Sequence, residues 1–142
     1  MEVKPAEGID KLVFGMKRHD VSQVYGSPDK EFEDEDGNTV FLYNRDKMRL
    51  TFYEDEDNRL GYIISSNPHL RFQGIALIGR NPDDVKADLE QHGFRSWEQE
   101  EFDMAVSHYN EQHWITLEAE FNEVVKLELG AKIEDDEFIW KF

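Results

Sequence analysis

Carboxylates are the residues of this sequence with the greatest capacity for chemistry, because 32 of its 142 residues are Asp or Glu. The densest run, Glu-Asp-Glu-Asp-Gly-Asn at 33–38, suggests a calcium loop. In an EF-hand register that starts at Asp34, however, Thr39 stands where the loop needs glycine, and Arg45 stands where it needs a bidentate glutamate. We therefore interpret the run as an acidic hairpin turn and expect no specific metal site there.

A pair of histidines is the second candidate for chemistry. His108 and His113 flank the four residues Tyr-Asn-Glu-Gln, and a hairpin at this point would place the two imidazoles nearly opposite each other. A tetrahedral zinc site needs further ligands, but the sequence has no cysteine and no third ligand nearby. We expect neither a metal nor a cofactor.

Motifs that carry catalysis are missing from the sequence. It has no Gly-x-Ser-x-Gly elbow, no glycine-rich phosphate loop and no His-Glu-x-x-His segment. General acid–base catalysis needs a carboxylate in a desolvating pocket, whereas most of these acids lie in polar runs. We therefore expect no catalytic residues and a protein that is not an enzyme. A deep pocket with two desolvated carboxylates would instead favour a carboxylate-based hydrolase.

The charge balance indicates what kind of partner the chain would attract. Sixteen Lys and Arg against the 32 acids give a formal net charge of −16. Such a field repels nucleic acid and anionic membranes, and it speeds association with a basic protein. Solubility alone is the alternative explanation. The sequence has no cysteine, no signal-peptide core and no membrane-spanning apolar run, which predicts a cytoplasmic location.

Two strands with strict alternation predict a sheet face that could bind such a partner. Residues 47–53 place Met48, Leu50 and Phe52 on one face, and residues 112–121 alternate in the same way around Ile115 and Leu117. The opposite face carries aromatic rings among polar groups, as protein interfaces do. The alternative is that residues 138–142 or a second copy cover these rings. The predicted partner-binding residues are Tyr53, Thr51, Arg49, Trp114, Thr116, Glu118 and Glu120.

The elements that must position this face are organised by two similar stretches, Gly15–Pro28 and Gly79–Gly93. Each has a glycine, a short helix beginning near an Asp-Val pair and a closing glycine, and runs of β-type residues follow. A further short helix is predicted from Ile9 to Gly15. The predicted fold class is α+β. Two tandem αβ repeats, each with short helices followed by a three- to four-stranded antiparallel meander, form one curved sheet with helices on one face. We expect a single domain over 1–142, with repeats at about 8–68 and 74–133 and a C-terminal tail at 134–142.

This pattern resembles the repeat of the β-lactamase-inhibitor-protein-like fold, which is also that of small SmpA/OmlA-type lipoproteins. The residues that carry the resemblance are Gly15, Asp20, Val21, Gly26 and Pro28, echoed by Gly79, Asp84, Val85 and Gly93. The second unit departs from the pattern at Phe94-Arg-Ser, and the chain has no lipobox cysteine. The resemblance implies tandem units joined into one sheet with a free face for binding protein. Acidic bacterial immunity proteins are similar in size and charge.

Together these observations predict a non-enzymatic intracellular inhibitor. In its most specific form it is an immunity protein that neutralises a cognate basic toxin, for example a nuclease, by occluding its active site. Tyr53 and Trp114 would be the anchors, and Glu118 and Glu120 would pair with Lys or Arg of the toxin. The alternative is a small regulatory or scaffold domain that self-associates through a sheet edge or the tail, so a homodimer is left open.

Overall fold

β-Strands account for 44% of the residues in the computed structural model, and helices for 14%. The structure describes residues 1–142. The helices are α1 (Arg18–Tyr25) and α2 (Pro82–Glu90), and one 3-10 turn covers Glu54–Glu56. No helix is long and apolar enough to span a membrane. The strands are β1 (Val3–Lys4), β2 (Gly8–Ile9), β3 (Leu12–Val13), β4 (Lys30–Glu33), β5 (Thr39–Tyr43), β6 (Met48–Tyr53), β7 (Arg59–Ser65), β8 (Arg71–Phe72), β9 (Ile75–Ala76), β10 (Glu98–Phe102), β11 (Ala105–Asn110), β12 (Ile115–Glu120), β13 (Glu123–Gly130), β14 (Ile133–Glu134) and β15 (Glu137–Phe138).

One antiparallel sheet of eight strands organises the fold. Its order is β10-β11-β12-β13-β7-β6-β5-β4, so two four-stranded meanders lie side by side. They join where β13 pairs with β7, with Leu127 opposite Ser65 and Leu129 opposite Ile63. We call this pairing the seam. Three small sheets, β1-β2-β3, β8-β9 and β14-β15, lie outside the large one.

One face of the large sheet forms the core, because apolar residues alternate with polar ones along its central strands. Val21 from α1, together with Val85 and Leu89 from α2, belongs to the same buried cluster as this face. Ile9 and Leu12 of the small N-terminal sheet belong to it too, so the covering layer contains short strands as well as helices. The buried residues that the large sheet contributes are Phe41, Tyr43, Met48, Leu50, Phe52, Leu60, Ile63, Ile115, Leu117, Val124, Leu127 and Leu129.

The predicted α+β fold class, two tandem αβ repeats with helices on one face, is wrong. The protein is mostly β, with two helices, one eight-stranded sheet and small accessory sheets. Ile9–Gly15, predicted as a helix, contains β2, a tight turn with Asp10 at φ 50° and β3. A short apolar run fits both the helix period and the strand period. Here the pairing of Val3 with Ile9 makes the segment a strand.

The two observed helices have the end signals that the sequence contains. In α1 the Asp20 carboxylate accepts a hydrogen bond from the Lys17 amide at 3.0 Å, and Gly26 follows at φ 78°. In α2 the Asn81 side chain accepts from the Asp83 amide at 2.9 Å, and Pro82 occupies the first helical position. These contacts satisfy amides that a helix start otherwise leaves without partners.

The C-terminal segment packs on its own chain. The Phe138 ring lies 4.7 Å from the Trp140 ring and 5.6 Å from the Tyr53 ring, measured between centroids. The amides of Lys141 and Phe142 both donate to the Phe14 carbonyl, at 3.2 and 3.1 Å. The tail therefore covers one end of the sheet.

Replacing Gly61 by Ala tests how tightly Tyr53 is held. A methyl group at Gly61 would collide with the Tyr53 ring, so we expect a loss of about 1–3 kcal/mol in the free energy of unfolding, as for other overpacked sites. Gly130→Ala is the matched control, because its methyl would meet the nearest atom, Trp114 Cβ, at an ordinary 3.9 Å. Urea unfolding measures both variants. Equal losses would contradict the packing described here.

Candidate functional site

The face of the large sheet opposite the core carries a polar cluster at the seam. Cross-strand pairing places Thr116 opposite Glu128, and Glu118 opposite Lys126. On the other side of the seam Tyr62 stands opposite Gly130, which puts it diagonal to Glu128. We call this side of the sheet the outer face.

Four side chains of the outer face form this polar cluster. The Tyr62 hydroxyl donates to the Glu128 carboxyl, and the nearby Glu118 carboxyl raises the pKa of Glu128. Ser107 Oγ donates to Glu118 Oε1 at 2.8 Å. All four residues are partly exposed. Two acids, Glu118 and Glu128, therefore lie close together on this face, where their like charges repel each other.

Burial and charge both shift the pKa of Glu128. Burial raises the pKa of Glu128, and the hydrogen bond and charge of Glu118 raise it further, against the opposing effects of Tyr62 and Lys126. The pKa of the Tyr62 hydroxyl is also raised, first by burial and then by its bond to Glu128. A positive charge that comes near would oppose this shift by stabilising the ionised form of Glu128.

A groove of about 190 Å³ opens beside Glu128. Aromatic side chains of Tyr62, Tyr109 and Trp114 line it, and Gly130 leaves its floor without a side chain. The negative charge of Glu98, the largest cause, raises the pKa of Tyr109, so the surroundings are acidic. Rings around a carboxyl are suited to a positively charged group, because aromatic faces attract cations. We call this space the outer groove.

The structure brings three of the seven predicted binding residues together at this site. Trp114 and Thr116 line the outer groove, and Glu118 belongs to the polar cluster, where it accepts a hydrogen bond from Ser107. Trp114 lies in the turn before β12 at φ 54°, and not in the strand as its alternation suggested. Its carbonyl accepts from the Gly130 amide at 3.0 Å, which fixes the turn against the seam.

The other four predicted residues lie elsewhere on the outer face. Tyr53 is covered by Phe138 and packs on Gly61. Thr51 is only 8% exposed, and Arg49 lies 5.7 Å from the centre of the Phe32 ring. Glu120 is exposed at the end of β12, opposite Ala105 and Glu123.

Sequence reasoning missed Tyr62, Ser107, Tyr109, Glu128 and Gly130. The same alternation that selected Thr116 and Glu118 predicts that Glu128 points away from Leu127 and Leu129. The sequence therefore did contain a signal for Glu128. The seam was the missing information, because Tyr62 and Glu128 are 66 residues apart. No local pattern indicates that these two strands are neighbours.

The two histidines do not face each other. His108 is buried on the core side, where its Nδ1 lies 2.9 Å from Lys86 Nζ; burial and the Lys86 charge lower its pKa. His113 stacks on Phe94 at 4.0 Å between ring centres and bonds to Asn110. No group of three or more His, Asp or Glu is arranged to hold a metal ion. Both histidines serve packing.

Solved structures of other proteins share this fold at low sequence identity. A DUF4309 family protein from Bacillus subtilis subsp. subtilis str. 168 aligns with 89% of this chain and 88% of its own, at TM-score 0.56 and 15% identity. An extracellular protein containing a SCP domain from Bacillus anthracis str. Ames aligns with 83% of this chain and 44% of its own, at TM-score 0.51 and 9% identity. A cysteine-rich secretory protein from Staphylococcus aureus subsp. aureus Mu50 aligns with 92% of this chain and 48% of its own, at TM-score 0.53 and 13% identity.

These likenesses concern the fold alone. The chain spans less than half the length of the Bacillus anthracis and Staphylococcus aureus proteins. No protein-family model matches the sequence, and the comparison with curated proteins gives no match. The resemblance to the β-lactamase-inhibitor-protein-like repeat therefore stays a prediction, and function must be argued from the site.

Replacing Glu128 by Gln should change how stability depends on pH. Folding raises the pKa of Glu128 above its ordinary value of 4.5. The contribution of Glu128 to wild-type stability is therefore fully present below pH 4.5 and is lost as pH rises through the raised pKa. The amide of the Glu128→Gln variant cannot ionise. Its free energy of unfolding relative to wild type should therefore increase between about pH 5 and pH 8, as measured by urea unfolding.

Glu120→Gln is the control for this experiment, because Glu120 is exposed on the neighbouring strand. Its stability relative to wild type should stay constant over the same range. An identical pH dependence of wild type and the Glu128→Gln variant would contradict a raised pKa of Glu128 in the folded state.

Proposed function

We propose that this chain is a non-enzymatic protein-binding module that takes Lys or Arg side chains of a basic partner on its outer face. The observation that carries the proposal is the position of the Glu128 carboxyl at the open outer groove, between the Tyr62 hydroxyl and Glu118, with Tyr109 and Trp114 as walls. These groups combine aromatic surface with negative charge, and a cationic side chain complements both.

The energetics favour a cation in this groove over a neutral group. An ammonium or guanidinium group over the rings gains about 0.5–2 kcal/mol from the aromatic faces. It also stabilises the ionised form of Glu128, which burial disfavours in the free protein. The Tyr62 bond keeps Glu128 in place before the partner arrives, which reduces the ordering cost of binding.

Long-range charge acts in the same direction. The net charge of −16 accelerates the encounter with a basic protein, and its effect weakens as salt is added. Close contacts at the groove determine how long the complex lasts. Affinity for a basic partner should therefore have one component that salt removes and another that depends on Trp114 and Glu118.

The specific form predicted from the sequence, an immunity protein that occludes a basic toxin in the cytoplasm, remains part of this proposal. A toxin encoded next to this chain's gene is its direct test, with inhibition of the toxin's activity as the readout. The alternative of self-association through the tail has less support, because Phe138 and Trp140 pack on Tyr53 and on each other. A hydrolase also has less support, because both carboxyls of the pair stay partly exposed.

Binding of n-butylammonium, which mimics a lysine side chain, tests the outer groove directly. We expect the indole NH resonance of Trp114 to shift during a titration followed by NMR, because this ring lines the groove. Trp97 is the internal control, since it does not line the groove and its Nε1 donates to the Phe94 carbonyl at 3.0 Å. Uncharged n-butanol should produce a much smaller shift at Trp114. Equal shifts from both probes would show that charge does not contribute to binding in the groove.

A charge-reversal pair tests the site in a protein complex. Glu118→Lys should weaken binding to a basic partner protein, such as a toxin if one is encoded beside this gene, at least tenfold in calorimetry, whereas Glu33→Lys should change it by less than threefold. The two variants have the same net charge, but Glu33 lies exposed on the edge strand β4 at the far side of the sheet. Equal losses would show that only net charge matters and that the outer face is not the site.

A further inference from the structure

Three large apolar side chains stand exposed at one end of the sheet. Phe102 is 82% exposed, Met104 60% and Phe121 80%. They belong to two neighbouring hairpin ends, because Phe102 pairs with Ala105, and Ala105 pairs with Glu120. Strands β10 and β12 are about 10 Å apart at this spacing, a distance that these side chains can bridge. We call Phe102, Met104 and Phe121 the tip patch.

The turn that carries Phe121 gives no structural reason for a phenylalanine. Phe121 and Asn122 connect β12 to β13, and their φ angles are 50° and 60°. A two-residue hairpin turn with positive φ at both positions favours Asn, Asp or Gly. A bulky residue there is conformationally unfavourable, and at 80% exposure it gains no burial in return. Contact with another molecule would supply the missing burial.

Acidic side chains surround the tip patch. Glu101, Asp103, Glu120 and Glu123 are all exposed at the same two hairpin ends. Two copies of this chain joined through the patch would bring these carboxylates together, and an anionic membrane would be repelled in the same way. A partner with apolar residues flanked by Lys or Arg could cover the apolar side chains and also pair with the surrounding carboxylates.

We propose that the tip patch is a docking surface for a cationic amphipathic segment of a protein. The apolar side of the segment would cover Phe102, Met104 and Phe121, and its Lys or Arg residues would lie against the surrounding carboxylates. This surface is separate from the outer groove. Asn110 and the groove lie at one end of β11, whereas Ala105 and the patch lie at the other, about 17 Å away.

A designed helical peptide of Leu and Lys, with all Leu on one face, is the probe for this surface. Fluorescence anisotropy of the labelled peptide should show binding at physiological salt. A peptide with the same composition but scrambled order should bind at least tenfold more weakly, because it has no apolar face. The triple variant Phe102→Ser, Met104→Ser, Phe121→Ser should lose at least tenfold in affinity for the helical peptide. Val24→Ser, at an exposed valine on α1, should bind like wild type.

The single variant Phe121→Asn separates binding from stability. Asn tolerates the positive φ of this turn, so the midpoint of urea unfolding should rise while affinity for the helical peptide falls. The Glu118→Lys variant of the outer groove should bind this peptide nearly as well as wild type, so failure at one surface can be told from failure at the other.

Several results would overturn the docking proposal. Equal binding of the helical and scrambled peptides would indicate attraction by net charge alone. Binding of wild type to phosphatidylcholine vesicles, lost in the triple variant, would identify the patch as a membrane contact. A dimer in sedimentation that the triple variant abolishes would identify it as a contact between copies. Unchanged peptide affinity in a folded triple variant would remove the patch from recognition altogether.

Discussion

The pairing of β7 with β13 is the interaction on which the rest of the structure depends. Each meander is built from hairpins that need only local contacts, but the seam alone makes one sheet of the two. On the core side it places Ile63 beside Leu129 in the buried cluster. On the outer side it places Tyr62 opposite Gly130 and diagonal to Glu128. One set of backbone hydrogen bonds thus aligns the core and brings Tyr62 to the polar cluster.

Burial and charge oppose each other at the seam, and the raised pKa of Glu128 is the result. A chain with twice as many acids as bases has little room to place carboxylates away from one another. Glu118 and Glu128 are both partly shielded, and ionising both would be costly in such surroundings. Hydroxyls of Ser107 and Tyr62 satisfy the outer ends of the pair. The result is a local concentration of negative potential that is held in fixed geometry before any partner binds.

The sequence contained enough information for single elements and too little for their assembly. Alternation identified the buried side of β6 and β12, and Pro82 marked the start of α2, because these signals act within a few residues. Prediction from the sequence failed at Ile9–Gly15, because a short apolar run fits both the helix period and the strand period. It also failed at Trp114, a turn residue that continues the alternation of β12 by chance. Tyr53 satisfied every local criterion for an exposed anchor, yet Phe138 covers it from 85 positions away. The site was only partly predictable for the same reason, since contact of Tyr62 with Glu128 depends on the seam. Solved structures with the same fold at 9–15% identity indicate that the architecture tolerates very different sequences.

The length of chain between the two seam strands has a consequence for how the protein folds. Hairpins close short loops, whereas joining Tyr62 to Glu128 closes a loop of 66 residues and costs more entropy. The meanders can therefore form before the seam does. A nascent or partly unfolded chain with both meanders intact would hold Tyr109 and Trp114 in place but would lack Tyr62 beside Glu128. The polar cluster is thus complete only in the finished sheet, and recognition that needs the Tyr62 contact would select fully folded molecules over folding intermediates.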